Sequence, residues 1–306
     1  TNGCQEALSI CLRAVAAPGD IIAIESPGFV GLLQLIESMG FKAMEIPCHP
    51  DTGISLEALE LALEQWPIKA VAVVSSFSNP LGSSMPEANR QRLVEMLAQR
   101  NVPLIEDDLF GDLGFNGKRP KPCKAWDQSG QVLYCSSASK SIAPGFRVGW
   151  IAPGAYLSEV DYFKSFTNVS APNLAQLVIA EFLSSGKYDR HLRQLRSQLA
   201  QQVHLFQQWI TEYFPTGTRY SHPQGGYVLW VCLPQGVDAF ELHWQAIEKG
   251  IGIVPGQLCS ASQKYSNFIR INCASNPQQD LRGAIKHLGL ITHRMLTEKS
   301  NSRLPT

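Results

Sequence analysis

Three unbroken apolar runs constrain this chain more than any other feature: Ala70-Val71-Ala72-Val73-Val74, Val102 to Ile105, and Val132-Leu133-Tyr134-Cys135. Apolar residues that do not alternate with polar ones mark strands buried on both faces. Helical patterns lie between such runs. Met85-Pro86-Glu87 opens a helix to Arg100, with proline suited to the first turn. Upstream, helices are predicted over Gly3 to Ala16, Phe29 to Met39 and Leu56 to Trp66, the last capped by Ser55. Short strands are predicted at Ile21 to Glu25 and Lys42 to Ile46. Strand and helix in turn imply an α/β fold, a mainly parallel sheet with helices on both faces. After about Gly186 the pattern changes. A long polar-faced helix runs from Tyr188 to Phe214. Strands follow at Tyr227 to Val231 and Phe268 to Cys273, with helices over Phe240 to Lys249 and Gln278 to Leu288. The expected organisation is a large domain over residues 1–186 and a smaller α+β domain over 187–306. Its polar tail, Thr297 to Thr306, is expected to fray.

Composition narrows the classes. Lys+Arg and Asp+Glu are both 26 of 306 residues, so no global charge draws the chain to nucleic acid or a membrane. Eight cysteines are scattered without a C-x-x-C pair, several inside apolar runs. They read as small buried hydrophobes of a reducing cytoplasm, with neither a disulfide framework nor a metal site expected. No apolar run approaches the roughly 18 residues of a membrane span.

The three apolar runs end alike, in polar residues. Asn79-Pro80-Leu81-Gly82 follows the first, a turn signature by itself. Glu106-Asp107-Asp108 closes the second, and three such carboxylates are ordinarily a solvated rim. Lys140 follows the third, among Ser136, Ser137, Ser139 and Ser141, with Arg147 seven residues on. Ligands of open α/β sheets bind outside the carboxyl ends of the strands, so Asn79, Asp107 and Lys140 are expected to converge. Hydroxyls and an arginine suit a phosphate dianion. A nucleophilic amine beside a phosphate site points to pyridoxal 5′-phosphate. Gly3, Cys4 and Gln5 lead from a turn into a helix, whose exposed N–H groups form a second anion-binding element.

These blocks resemble the fold-type-I pyridoxal-phosphate enzymes of the aspartate aminotransferase superfamily, class I and II. The matching residues are Asn2-Gly3-x-x-x-Ala7-Leu8, Asn79-Pro80-x-Gly82, Asp107-x-x-Phe110, Ser137-x-Ser139-Lys140 to Pro144-Gly145-x-Arg147-x-Gly149, and Phe268-Ile269-Arg270. They occur in family order from Thr1 to about Leu290. The resemblance implies a seven-stranded-type sheet and a role for each residue. Lys140 matches the lysine that bears the cofactor and moves the substrate proton. Asp107 matches the carboxylate partner of the ring nitrogen, and Asn79 the donor to the ring's 3-oxygen, beside the substrate. Ser137, Ser139 and Arg147, with N–H groups near Gly3, Cys4 and Gln5, match the phosphate cup. Phe29 matches an aromatic ring stacked on the cofactor, and Arg270 the clamp for the substrate carboxylate.

Two departures stand out. Phe110 occupies a position where the family usually has tyrosine. The chain also begins at the phosphate-cup turn, where family members carry a preceding segment, so a fragment lacking its N-terminal part is expected. Glu106 to Leu113, Lys140 to Trp150 and Pro223 to Trp230 resemble bacterial GntR/MocR-type regulators, in which a DNA-binding domain precedes an aminotransferase-like domain. That resemblance implies a sensor of an amino acid or amino-acid-like molecule, a homodimer, with DNA bound only through the absent domain. Free-standing amino-acid aminotransferases share much of this wording and are the alternative.

Overall fold

The computed structural model describes residues 1–274 and 278–301. The predicted polar tail lies partly outside them. Where it is described, the helix that the sequence suggests over 278–288 begins at Leu281 and continues to Asn301, past the expected point of fraying.

The first unit is a seven-stranded sheet of order β3-β2-β1-β4-β5-β6-β7. Its strands are β1 (Ile21–Ser26), β2 (Lys42–His49), β3 (Gly53–Ile54), β4 (Ile68–Val73), β5 (Leu104–Asp107), β6 (Val132–Ser137) and β7 (Gly149–Ala152). The five central strands are parallel, while β3 and β7 close the edges antiparallel. The apolar runs occupy the middle because all their side chains but Tyr134, which is half-buried, are covered, and residues alternate between two cores. Ile22, Ile24, Ala70 and Ala72 pack under α1 (Cys4–Val15), α2 (Val30–Ser38) and the Val160 side of α5 (Leu157–Asn168). Ala23, Val71 and Val73 face α3 (Leu56–Gln65) and α4 (Glu87–Gln99) on the opposite side. Helices on both faces make this the α/β fold that the alternation predicts.

Helix α6 (Asn173–Ser184) leads into α7 (Lys187–Tyr213). A second, antiparallel sheet of order β10-β11-β9-β8 follows, from β8 (Arg219–Tyr220), β9 (Val228–Cys232), β10 (Val254–Pro255) and β11 (Phe268–Asn272). α7, α8 (Ala239–Ile247) and α9 (Leu281–Asn301) cover it around a core containing Phe206, Ile210, Leu229, Val231, Ile269 and Leu288. The two units are fastened by backbone and carboxylate bonds. Phe115 N–H donates to Gln224 O at 2.9 Å, Gly226 N–H to Leu113 O at 3.1 Å and Gly28 N–H to Cys259 O at 2.8 Å. Glu45 of β2 also accepts from Ala261 N–H at 3.1 Å. Across that seam opens the candidate site.

Candidate functional site

Because β1, β4, β5 and β6 are parallel, their carboxyl ends meet along one edge, against the N-terminus of α1. The cavity there measures about 280 Å³. It is lined by Cys4, Gln5, Phe29, Asn79, Asp107, Ser137, Ser139, Lys140, Arg147 and Arg270, every predicted site residue except Gly3. Gly3 stands just behind. Its φ of 85° and ψ of 176° suit glycine alone, and a Cβ there would collide with the Arg147 guanidinium, lying 2.9 Å from its Cζ.

Arg147 is itself left-handed, at φ 52° and ψ 41°. That conformation turns its guanidinium back over the first turn of α1. Nη2 donates to Asn2 O at 2.8 Å and Nη1 to Ser139 Oγ at 3.3 Å. The hydroxyls of Ser137 and Ser139, this guanidinium and the N-terminus of α1 therefore surround one end of the cavity, an arrangement that could hold a phosphate.

Asp107 lines the same cavity. Oδ1 accepts from Leu109 N–H at 3.1 Å and from the Cys4 thiol at 3.3 Å. Burial raises its proton affinity to a pKa of about 6, against the lowering effect of these two donors. Its neighbours Glu106 and Asp108 are not the solvated rim that strand-end carboxylates usually form. Both are buried. Glu106 accepts from the Ser75 hydroxyl at 2.5 Å and from Cys123 and Lys124 N–H at 2.7 and 2.9 Å. Asp108 is held by Arg119 at 2.6 Å and the Tyr134 hydroxyl at 3.0 Å. Both acids are thus structural, and Asp107 is the one that faces the cavity.

Lys140 sits three residues beyond β6, its amine 5.8 Å from the centre of the Tyr227 ring. Tyr227 packs edge-to-face on Phe110 at 5.4 Å, so the position where a phenol is usual holds a buried phenyl ring against a second aromatic wall. Arg270 enters from β11 of the second sheet. Nη1 donates to Asn79 Oδ1 at 3.4 Å, while Nε is buried without a partner. Burial without a counter-anion pushes its pKa down.

Among the described residues, Lys140, Arg147 and Arg270 have no carboxylate within ion-pair distance, and Asp107 has no cation. Asp107 is buried, Lys140 and Arg270 are half-buried and Arg147 is exposed, and a charge taken out of water is costly unless matched. One buried anion without a cation and three cations without a carboxylate around a single cavity fit a ligand carrying two anionic groups and a cationic centre.

Residue types alone did not disclose three participants. Tyr227 follows the pair Gly225-Gly226, whose close approach to Phe77 leaves no room for a Cβ at Gly225. Glu25, at the end of β1, accepts from Val74 N–H at 2.7 Å and is lifted by burial to a pKa of about 8. Arg90 is fully buried in α4 and donates to the carbonyls of Ser75, Met85 and Lys121 at 2.7 to 2.8 Å, which fixes the turn bearing Asn79. A polar residue on an otherwise apolar helix face was the available signal for Arg90.

Residues 1–288 match the aminotransferase class I and II family. An uncharacterized helix-turn-helix-type transcriptional regulator, YjiR of Escherichia coli K12, is 42% identical over 97% of this chain and 63% of its own length. Aromatic-amino-acid aminotransferase 1 of Thermococcus litoralis is 31% identical over 94% of the chain and 70% of the enzyme. The crystal structure of Pyrococcus horikoshii kynurenine aminotransferase, solved with PMP, superposes with a TM-score of 0.90 at 30% identity, over 97% of this chain and 74% of that one. The chain therefore spans under two thirds of the regulator that it matches. It belongs to the class I and II aminotransferase family.

Proposed function

We propose that this member of the class I and II aminotransferases binds pyridoxal phosphate and serves as the effector domain of a GntR/MocR-type transcriptional regulator. The observation that carries the cofactor assignment is the cavity's charge pattern, three cations and one carboxylate without partners of opposite sign. The residues fit the group. The Gly3 turn, which admits no Cβ, with Ser137, Ser139 and Arg147, takes the phosphate. Asp107 would meet the ring nitrogen and Asn79 the 3-oxygen. Phe29 would pack against the ring, and Lys140 would bear the cofactor. Arg270 takes the α-carboxylate of an amino acid or amino-acid-like ligand through charge-assisted bonds that lysine cannot copy.

When bound, pyridoxal phosphate supplies an electron sink for charge developing at the substrate α-carbon. The chain's own residues do the rest. Asp107, ionised above a pH of about 6, holds a proton on the ring nitrogen. The Lys140 amine would carry a proton away from the substrate α-carbon. Phe110 contributes no phenol, which leaves Asn79 as the neutral donor to the 3-oxygen.

The regulator role is supported by the 42% identity to YjiR across 97% of this chain. DNA contact would belong to a segment outside the present sequence, and a cytoplasmic location follows from that role. A homodimer is supported by the exposed apolar residues of α5, α6 and the turn between them, among them Phe166, Val169, Leu174 and Leu177. The large and small domains are assigned to residues 1–186 and 187–306. A free-standing aminotransferase is the second reading, favoured by the intact set of lysine, aspartate and arginine.

The test is spectroscopic. Pyridoxal phosphate added to the full protein produces a visible absorption band, absent in Lys140→Ala. A band that survives this substitution overturns the assignment of Lys140. Discharge of the band by amino acids establishes transamination. Retention with every amino acid, together with a change in DNA affinity, leaves sensing alone.

A further inference from the structure

Asp107 is held in an unusual way. The buried carboxylate has no cation among the described residues, and the side chain that holds it is a thiol, Cys4 Sγ donating to Oδ1 at 3.3 Å. Cys4 is only 5% exposed and lines the cavity. It is also the first residue of α1, directly after the Gly3 turn that faces Arg147. One helix N-terminus thus borders the cavity with its backbone N–H groups and supplies a side-chain donor to Asp107.

We propose that Cys4 is a positioning residue: its thiol fixes the rotamer of Asp107 and keeps the carboxylate ionised toward the cavity. Cys4 thereby couples placement of the phosphate end to placement of the carboxylate that meets the ring nitrogen. This rests on the pyridoxal-phosphate reading of the site. The thiol is suited to the task because burial first, and Asp107 second, push its own pKa well above the usual value. It therefore remains a donor throughout the working pH range. No other side chain donates to Asp107 among the described residues, and the carboxylates beside it, Glu106 on β5 and Asp108 just after it, oppose its ionisation. Glu25 on β1, which keeps its proton to about pH 8, and Cys135 on β6, whose thiol is pushed up, face it uncharged.

Removing the thiol must raise the proton affinity of Asp107. The test measures the affinity of the full apo protein for pyridoxal phosphate from pH 5 to 9, by the visible band, in wild type, Cys4→Ala and Cys4→Ser. Affinity is expected to fall on the acid side as Asp107 takes up its proton. In Cys4→Ala that fall moves about one pH unit higher, the scale of one lost hydrogen bond to a charge. Cys4→Ser, which keeps a donor, restores the wild-type midpoint. The diagnostic readout is the pH midpoint, which a weakened phosphate cup would not move. The same shift in a Glu25→Gln background assigns the midpoint to Asp107 and not to Glu25. An unmoved midpoint in Cys4→Ala, or a midpoint that Cys4→Ser fails to restore, overturns the role of Cys4. A wild-type protein with no visible band at all overturns the cofactor reading instead.

Discussion

At the scale of single residues, the site concentrates ionisable groups in conditions that shift them. Glu25 is the strongest case for a stability effect, since it is 7% exposed and holds its proton to about pH 8. Unfolded, a glutamate ionises near 4.3. Below that pH both states carry the proton, and burial of Glu25 costs nothing electrostatic. As pH rises toward 8 only the unfolded state releases it, so stability falls across this window and levels off above it. Asp107, raised to about 6, acts in the same direction over a narrower window. Urea unfolding should therefore show the wild type less stable at pH 8 than at pH 5. Glu25→Gln should recover on the order of 3 kcal/mol of that difference. An unchanged pH dependence in Glu25→Gln would contradict the burial of the acid. The sequence places Glu25 at a strand end but says nothing of its protonation, which depends on what the neighbouring strands bring against it.

At the scale of elements, the start of α1 does the most for function. The helix is legible in the sequence, with a glycine turn ahead of an amphipathic run that puts Ala7, Leu8, Ile10 and Cys11 against the sheet. Gly3 there combines a conformation that costs other residues roughly 1–3 kcal/mol with a Cβ position facing Arg147. Gly3→Ala should reduce affinity for inorganic phosphate at least about tenfold, measured by calorimetry, while circular dichroism of the helices changes little. Retained phosphate affinity would separate this turn from the anion site. Boundaries were less legible. α9 runs to Asn301, beyond the predicted Leu288, because its apolar positions Ile291 and Met295 continue onto the second core. No element was predicted over the segment that forms α5 and α6, of which only Val160 and Ile179 are buried.

At the scale of the whole molecule, the cavity exists because two units dock. Asp107, Asn79 and Lys140 come from the edge of the parallel sheet, whereas Arg270 is carried by β11, paired between Val254 and Trp230 in the second sheet. The consequence is separable binding. Arg270→Ala should weaken amino-acid binding by roughly 10- to 100-fold and leave pyridoxal-phosphate affinity within about threefold, by titration of the visible band. Loss of the cofactor together with the amino acid would show that Arg270 supports the site rather than the ligand. The sequence alone determined the buried strands β1, β4, β5 and β6, the polar residues at the ends of the last three and hence the edge on which chemistry could sit, because periodicity records how much of each element is covered; the short strands β3, β7, β8 and β10 carry no such pattern. It also determined which residue types suited an anion, a ring and a carboxylate. What the tertiary structure decided is which charges lack partners. Glu106 and Asp108 are absorbed by Ser75, Arg119 and Tyr134, while Asp107 is left to a thiol 103 positions away in the chain. Such pairings depend on distances between loops of different strands and on how the second unit seats against the first, and neither is written in any local pattern.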